Sequence, residues 1–439
     1  MTQSIELPWG ENLLKLNLPK NWRVLGQLKP EKSESLMNPA ESCAEALAKP
    51  VGFQRLSTKN LGDTKILVVV DDHSRPTRVA DFLPAVLSEL RSGGAKHDNI
   101  EFLIATGVHR ADTPDEVAKK LGRQILSAYS WSCHDAYDPS VLEDIGTTSR
   151  GTRAFINRKL LNADLIICVG AIEPHLLLGF GGGLKMIVPG CAGAETIGKN
   201  HMQGVDPDHF NYVGTSGDDS PMRRDLEEAA QLLKREIFIV NSAINENAAP
   251  SGFFAGDPVL AHRMGERFIE NTLRLKFPEQ ADVVIANSRP MDADLRQSVK
   301  CIGNTLFASK PGGVMIGMAR ATNGLGEMPL AKRTLPYTAT RTILKVIGKS
   351  RVLPLVEKVK KDQPVEEIFI GHFALQMLRR NHLAIFSDCP SLPADIGRKM
   401  GMARSFTDVE TLMNWASSKV PSAATVWVFP YGGATYATI

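Results

Sequence analysis

The chain has 439 residues, with 51 Lys and Arg set against 48 Asp and Glu, a net charge of +3 and an apolar share of 43%. That length exceeds what one ordinary core fills, so two domains are expected. The near-balanced charge, with no Lys/Arg block, argues against nucleic acid as a partner. No stretch reaches the roughly 20 apolar residues of a membrane span. Residues 1–9 carry neither the basic region nor the apolar core of a signal peptide, so the expected location is the cytoplasm. The six cysteines are scattered, without CxxC spacing, which suits buried thiols in a reducing compartment rather than a disulfide framework.

Apolar runs then alternate with stretches of helical spacing. Residues 65–70 predict a strand, 81–92 a helix, 100–105 and 165–169 two more strands, and 237–240 a strand ahead of a long helix over 258–272. Residues 277–281 mark a boundary between a charged helix and a fresh strand at 282–286. A second series follows: a strand at 313–317, a helix over 334–347, strands at 383–388 and 426–430, and a helix over 408–419. The expected architecture is α/β, with two α/β domains built on mainly parallel sheets. The first covers residues 1–276 and the second 277–420, with 421–439 crossing back to the first. The expected active site is the cleft between them.

Polar residues gather where strands hand over to loops, the end of an open α/β sheet at which ligands bind. Asp71-Asp72-His73-Ser74-Arg75-Pro76-Thr77 follows the first strong strand, so a carboxylate and a guanidinium there can orient an anion or a ribose. An Asp cap beside a surface Arg would look the same. Thr106-Gly-Val-His-Arg110 ends the next strand. His109 there and His175 further on can each be a hydrogen-bonded loop residue. As a pair facing one cavity, their imidazoles suit reversible proton transfer near neutral pH.

Residues 173–190 carry His175, the run Gly181-Gly182-Gly183 and Lys185, directly after a buried strand. Lys185 is followed by Met186, so this is no Walker A loop, and it is no strict GxGxxG either. It reads either as a glycine turn packed on a sheet or as a pocket for a flat, phosphorylated cofactor. In the second case the lysine is an anion clamp or a covalent attachment point. Asn200-His201 offers one imidazole as a metal ligand, or else a capping or core histidine. No HxH, HExxH or Cys/His cluster supports an all-protein zinc site. In the second half, Pro290 opens a helix that Asp292 caps. Arg296, Gln297 and Lys300 fall on one face of it, as a solvated basic face or as a clamp for a carboxylate.

Together these pieces resemble the nickel-dependent lactate racemase family over residues 65–388. Its DD-x-[ST]-R-P-T element stands at 71–77, its G-x-H-R at 107–110, and E-P-H-x-x-x-G-[FY]-x-G-G-x-K-x-x-x-P-G whole at 173–190. The N-H pair, Q-x-x-K at Gln297 and Lys300, and P-Y-G-G at 430–433 complete the set. The resemblance implies a racemase or epimerase of 2-hydroxy acids working by reversible hydride transfer. It implies two cofactor components, nickel and a pyridinium-3-thioamide-5-thiocarboxylate mononucleotide that holds the metal as a pincer. Lys185 would be the covalent attachment point, His201 the remaining nickel ligand, and Asp72, Gly181, Gly182 and Gly183 further cofactor contacts. His109 and His175 would be the acid/base pair. Arg75, Gln297, Lys300 and Arg296 would hold the substrate, and Asp72 would bind the ribose or fix Arg75.

Enzymes that build the cofactor are the implied transient partners, and a small 2-hydroxy acid the substrate. Three departures bear on which acid, one of them Arg78 in place of a commoner proline. Arg296 stands where the family tends to have Tyr, and Phe373 lies near the place of a family tryptophan. The added positive charge points to a larger or dicarboxylic 2-hydroxy acid, such as malate or a sugar acid, beside lactate itself. Two other readings stand against this one. A non-catalytic carrier of the nucleotide would need Lys185 and His201 but not both His109 and His175. A nicotinamide-type dehydrogenase would need the missing GxGxxG.

Overall fold

The structure is a computed structural model and describes residues 3–31, 35–206, 208–328, 330, 336–359, 365–401 and 403–438. Two six-stranded sheets organise it. The first runs in the order Pro250–Gly256, Glu236–Ile244, Leu165–Ile172, Ile66–Asp71, Ile100–Ala105 and Ser130–Cys133. All pairs are parallel except the Pro250–Gly256 edge. Ile66–Asp71 and Leu165–Ile172 are buried at every position, because helices cover both faces of a parallel sheet and leave no solvated side for alternation.

The chain leaves Ile66–Asp71 towards Ile100–Ala105 on one side and later returns to Leu165–Ile172 on the other. That reversal of direction opens a crevice at the carboxyl ends of these strands. The loops carrying Asp72, His109 and His175 all leave from there.

The second sheet is wholly parallel, in the order Arg404–Phe406, His382–Phe386, Ser309–Met318, Ala281–Asn287, Thr425–Phe429 and Arg23–Gln27. The amino-terminal hairpin, Ser4–Trp9 with Asn12–Asn17, packs Ile5, Leu7 and Leu16 onto this sheet's Val283, Ile285 and Ile316. A division near residue 277 therefore separates the strands of the two sheets, except that Arg23–Gln27 belongs to the second.

The expected crossing of 421–439 splits in two. Thr425–Phe429 stays in the second sheet, where its apolar run is covered on both sides by neighbouring strands. Only Tyr436–Thr438 returns, pairing with Arg274–Lys276 and setting the Tyr436 ring against Phe180. Gly214 makes room for that ring, since a Cβ there would lie 2.0 Å from it. Most predicted elements appear within a few residues of their expected ends. The helix expected over 334–347 is observed as Tyr337–Ile347, with 334 and 335 outside the described residues. None of the described helices is long and apolar enough to cross a membrane. All six cysteines are free.

One buried network aims the helix Ala194–Met202. The Asp225 carboxylate accepts hydrogen bonds from Thr148 Oγ1 at 2.6 Å, Thr152 Oγ1 at 2.8 Å and Asn200 Nδ2 at 2.8 Å. Asn200 is fully buried and immediately precedes His201, so this bond sets the rotation of the helix that presents the histidine. Removing the carboxylate strands three buried donors. Asp225→Ala is expected to lower the free energy of unfolding by about 3–5 kcal/mol in urea titration. A loss below about 1 kcal/mol would show that the network does not hold the helix.

Candidate active site

A cavity of about 250 Å³ opens at the carboxyl ends of the first sheet. His109, His175, Lys185 and His201 all line it, and Arg75 and Lys300 join them. The second half of the chain contributes Arg296, Gln297 and Lys300 from around Val299, and an apolar wall from the helix Val365–Arg380.

Three imidazoles reach the cavity with their Nδ1 atoms already committed. His109 Nδ1–H donates to Asp72 Oδ2 at 2.5 Å, which leaves Nε2 with a free lone pair. The other Asp72 oxygen accepts from Ser74 N–H at 3.0 Å and Ser74 O–H at 2.6 Å. Burial opposes ionisation of Asp72, but the His109 bond and the charges of His109 and Arg75 outweigh it and hold the carboxyl far below its usual range. Asp72 therefore fixes His109 and has little capacity left for a ribose.

His175 is set the other way round. Its Nδ1 accepts the backbone N–H groups of Leu177 and Leu178, each at 3.2 Å, so the neutral ring carries its proton on Nε2. Burial, then the nearby charges of Lys185, Lys300 and Arg75, push its pKa well below the ordinary value.

His201 Nδ1–H donates to Ile197 O at 2.6 Å, one helical turn back. Burial lowers its pKa to about 4, so the ring is neutral and Nε2 is free to bind a metal.

The three cations share Glu173 as a buried counter-charge, and Arg75 also feels Asp72 and Asp71. Glu173, 5% exposed, accepts from Arg75 NH1 at 3.3 Å, and its second oxygen has no partner among the described residues. Burial would raise the Glu173 pKa, but Lys300, Arg75 and Lys185 bring it below the usual value. Burial, with Arg75 close by, lowers Lys300 to about 8 despite the opposing pull of Glu173. The same two causes, in the same order, take Lys185 well below the ordinary lysine range, which favours a neutral, nucleophilic amine. Sequence patterning singled out no role for Glu173; its place inside an otherwise apolar motif after a buried strand was the available signal.

The glycine segment is shaped by the protein itself. Asn241 Oδ1 accepts from Gly183 N–H at 2.7 Å, His262 Nε2–H donates to Gly181 O at 2.7 Å, and buried Arg223 donates to Gly182 O at 3.1 Å and to Phe180 O. Gly182 and Gly183 have φ of +76° and +60°. A Cβ on Gly182 would sit 2.6 Å from Ala171 O, and one on Gly183 2.8 Å from the His262 ring. These glycines answer to packing behind the loop. From residues 181–190 the cavity lining takes Lys185, Met186, Pro189 and Gly190. Asn241, Arg223 and His262 come from three distant elements, so local spacing had no means of pairing them with the loop.

In the second half, Asp294 rather than Asp292 caps a short helix, Leu295–Ser298, by accepting from Gln297 N–H at 2.8 Å. A turn closed by Met291 N–H on Ser288 O delays the helix start. Gln297 is 4% exposed, and its Oε1 has no partner among the described residues. Arg296 is spoken for: it donates to Glu327 O at 3.1 Å and lies 3.5 Å from Glu327 Oε2. Glu327 also accepts from Arg110 N–H at 2.7 Å and comes within 3.9 Å of His109 Nε2.

His73, Asp112 and Glu116 form a separate group whose ligand atoms lie within 4.8 Å of one another, assembled from two loops and therefore invisible as a spacing. Its atoms already have partners, His73 with Asp112 at 2.7 Å inside the group and Glu116 with Arg110 and Thr113 outside it.

Residues 9–211 match the family described as Lactate racemase N-terminal domain. The lactate racemase of Thermoanaerobacterium thermosaccharolyticum is 29% identical over 417 residues, 94% of this chain and 96% of that one. That of Lactiplantibacillus plantarum is 27% identical over 434 residues, 98% of each. The solved lactate racemase apoprotein from T. thermosaccharolyticum superposes over the whole of both chains with a TM-score of 0.82 at 27% identity. A protein from Thermotoga maritima shares the fold at TM-score 0.66 and 18% identity, over 91% of this chain and 99% of that one. The amino-terminal part of the chain matches the lactate racemase N-terminal domain, and the whole chain is similar, end to end in sequence and in fold, to lactate racemases.

Proposed function

We propose that this protein is a racemase or epimerase of 2-hydroxy acids that works with a lysine-tethered nickel-pincer nucleotide. The observation that carries the reading is the meeting of His109, His175, Lys185 and His201 in one cavity that also holds Arg75 and Lys300. The donor set fits that cofactor. A ligand that brings its own sulfur and carbon donors needs from the chain one neutral imidazole and one neutral amine. His201 and Lys185 have those states. When bound, the group supplies a reversible hydride acceptor, which is the difficult part of the chemistry.

The rest falls to this chain's own residues. Arg75 and Lys300 hold the substrate carboxylate, with the Gln297 amide beside them. Fixing that end leaves the hydroxyl to face an imidazole. His109 Nε2 takes the hydroxyl proton as the α-hydrogen departs with its electron pair, and the Asp72 carboxylate steadies the imidazolium that results. The organic product of that step is a planar 2-keto acid. When hydride returns to the other face, the oxygen regains a proton and the opposite enantiomer leaves.

For the mirror-image substrate the oxygen meets His175, which takes the hydroxyl proton at Nε2 only once its own proton has moved to Nδ1, at the cost of the Nδ1 contacts with Leu177 and Leu178 N–H. The two directions thus start from unequal proton arrangements.

The decisive experiment uses protein from a host that makes the cofactor. Intact mass should show an increment that Lys185→Ala removes, with nickel present in proportion. Polarimetry on chiral 2-hydroxy acids should show loss of optical activity with either enantiomer. His109→Ala and His175→Ala should each slow racemisation about 10²–10⁴-fold; a normal rate in either variant refutes its acid/base role. Lys300 gives a separate test. Its charge is present below about pH 8 and lost as the pH climbs through that value. Apparent KM for the anionic substrate should therefore rise above about pH 8, and Lys300→Arg should move that rise upward by more than one unit. A KM flat to pH 10 would exclude the lysine from the clamp.

A further inference from the structure

Beside its polar groups, the cavity has a wall whose described lining from the helix Val365–Arg380 is wholly apolar. Phe369, Phe373 and Met377 recur at one-turn spacing on the helix Val365–Arg380 and line the cavity. Leu176, Val299 and Met328 line it as well. Leu176 directly follows His175, and Val299 lies between Gln297 and Lys300, so apolar surface begins one residue away from the catalytic and clamping groups. The Phe369 ring stands 5.8 Å from the His201 ring, which places it at the metal side. Phe373 and Met377 lie one and two turns further along. Phe373 is itself backed by Phe210, with centroids 5.8 Å apart.

Among the described residues, the helix Val365–Arg380 gives no charged side chain to the cavity lining. Arg296, the extra cation that pointed to a dicarboxylic or sugar acid, donates to Glu327 O and pairs with Glu327 Oε2. A second carboxylate or a row of hydroxyls placed against the phenylalanine wall would lose water without gaining donors. An alkyl or aryl group placed there would gain about fourfold in affinity for each buried methylene.

We propose that this site takes 2-hydroxy acids with a bulky apolar side chain, branched alkyl or aryl, and that Phe373 is the residue that selects them. The inference rests on the racemase reading above and names its substrate class. It replaces malate or a sugar acid as the expected larger substrate.

The test measures kcat/KM of the cofactor-loaded protein on lactate, 2-hydroxy-4-methylpentanoate, 3-phenyllactate, malate and gluconate. At least one of the two apolar acids should exceed lactate by tenfold or more, and malate and gluconate should fall below lactate. Phe373→Ala should depress 3-phenyllactate about tenfold more steeply than lactate; if that variant does not fold, Phe373→Leu carries the same comparison. A readout without turnover uses the cofactor-free protein: phenylpyruvate should raise its melting temperature at concentrations where oxaloacetate does not. Malate or gluconate matching the apolar acids, or lactate preferred over both, overturns the inference and leaves the racemase reading standing. If protein with modified Lys185 racemises none of the five, the racemase reading fails and this inference with it.

Discussion

One buried carboxylate makes the site workable. Arg75, Lys300 and Lys185 converge on a cavity with much apolar lining, and unpaired charges there would be costly. Glu173 supplies the fixed negative charge, bonded to Arg75 and left with one oxygen open. Arg75 also feels Asp72 and Asp71, whereas burial weighs most on the two lysines, and the consequence is graded. Arg75 stays charged, Lys300 falls to about 8, and Lys185 falls well below its ordinary value. On the proposed function, that gradation suits a cation that grips an anionic substrate and an amine that bonds covalently.

The three cavity histidines show how backbone context assigns chemistry to one side chain. All three present Nε2 as the uncommitted atom, but their Nδ1 partners differ. Asp72 accepts a hydrogen bond from His109 Nδ1–H and fixes its tautomer. Two backbone N–H groups hold His175 neutral with its proton facing inward. A helix carbonyl fixes His201 as a neutral ring with an inward lone pair. The base, the donor and the metal ligand of the proposed function would follow from a carboxylate, a loop and a helix turn. Exchanging any two of these surroundings would leave the residue types unchanged and remove the function.

Much of this was legible along the chain, because the groups that carry chemistry sit directly after strands whose apolar runs are unmistakable. Residues 66–71, 100–105 and 165–172 announce themselves by composition, and the loops behind them hold Asp72, His109 and His175. The amino-terminal hairpin and the Arg23–Gln27 strand were not expected, since short amphipathic runs such as Asn12–Asn17 have one exposed face and no strong apolar signature. Within the site, the glycines were visible but their reason was not. Their constraint comes from Ala171 O and the His262 ring behind the loop, contacts that exist only once the sheet and the Leu260–Leu273 helix have packed. The partner of Arg296 was hidden for the same reason: Glu327 lies 31 residues away, beyond the strand Ser309–Met318.

The packing of the glycine loop also explains why Lys185 can be placed so deep. A lysine held by its own flexible stem would leave an apolar cavity for water. Here Asn241, Arg223 and His262 clamp the carbonyls and amides at residues 180–183, so the backbone that carries the lysine is fixed from three sides. Arg223 is fully buried and spends its donors on main-chain oxygens rather than on a carboxylate. Those bonds satisfy the carbonyls of a loop whose φ values prevent it from joining a regular ladder. Rigidity is therefore established before any ligand arrives, and binding a cofactor at Lys185 need not also order the chain.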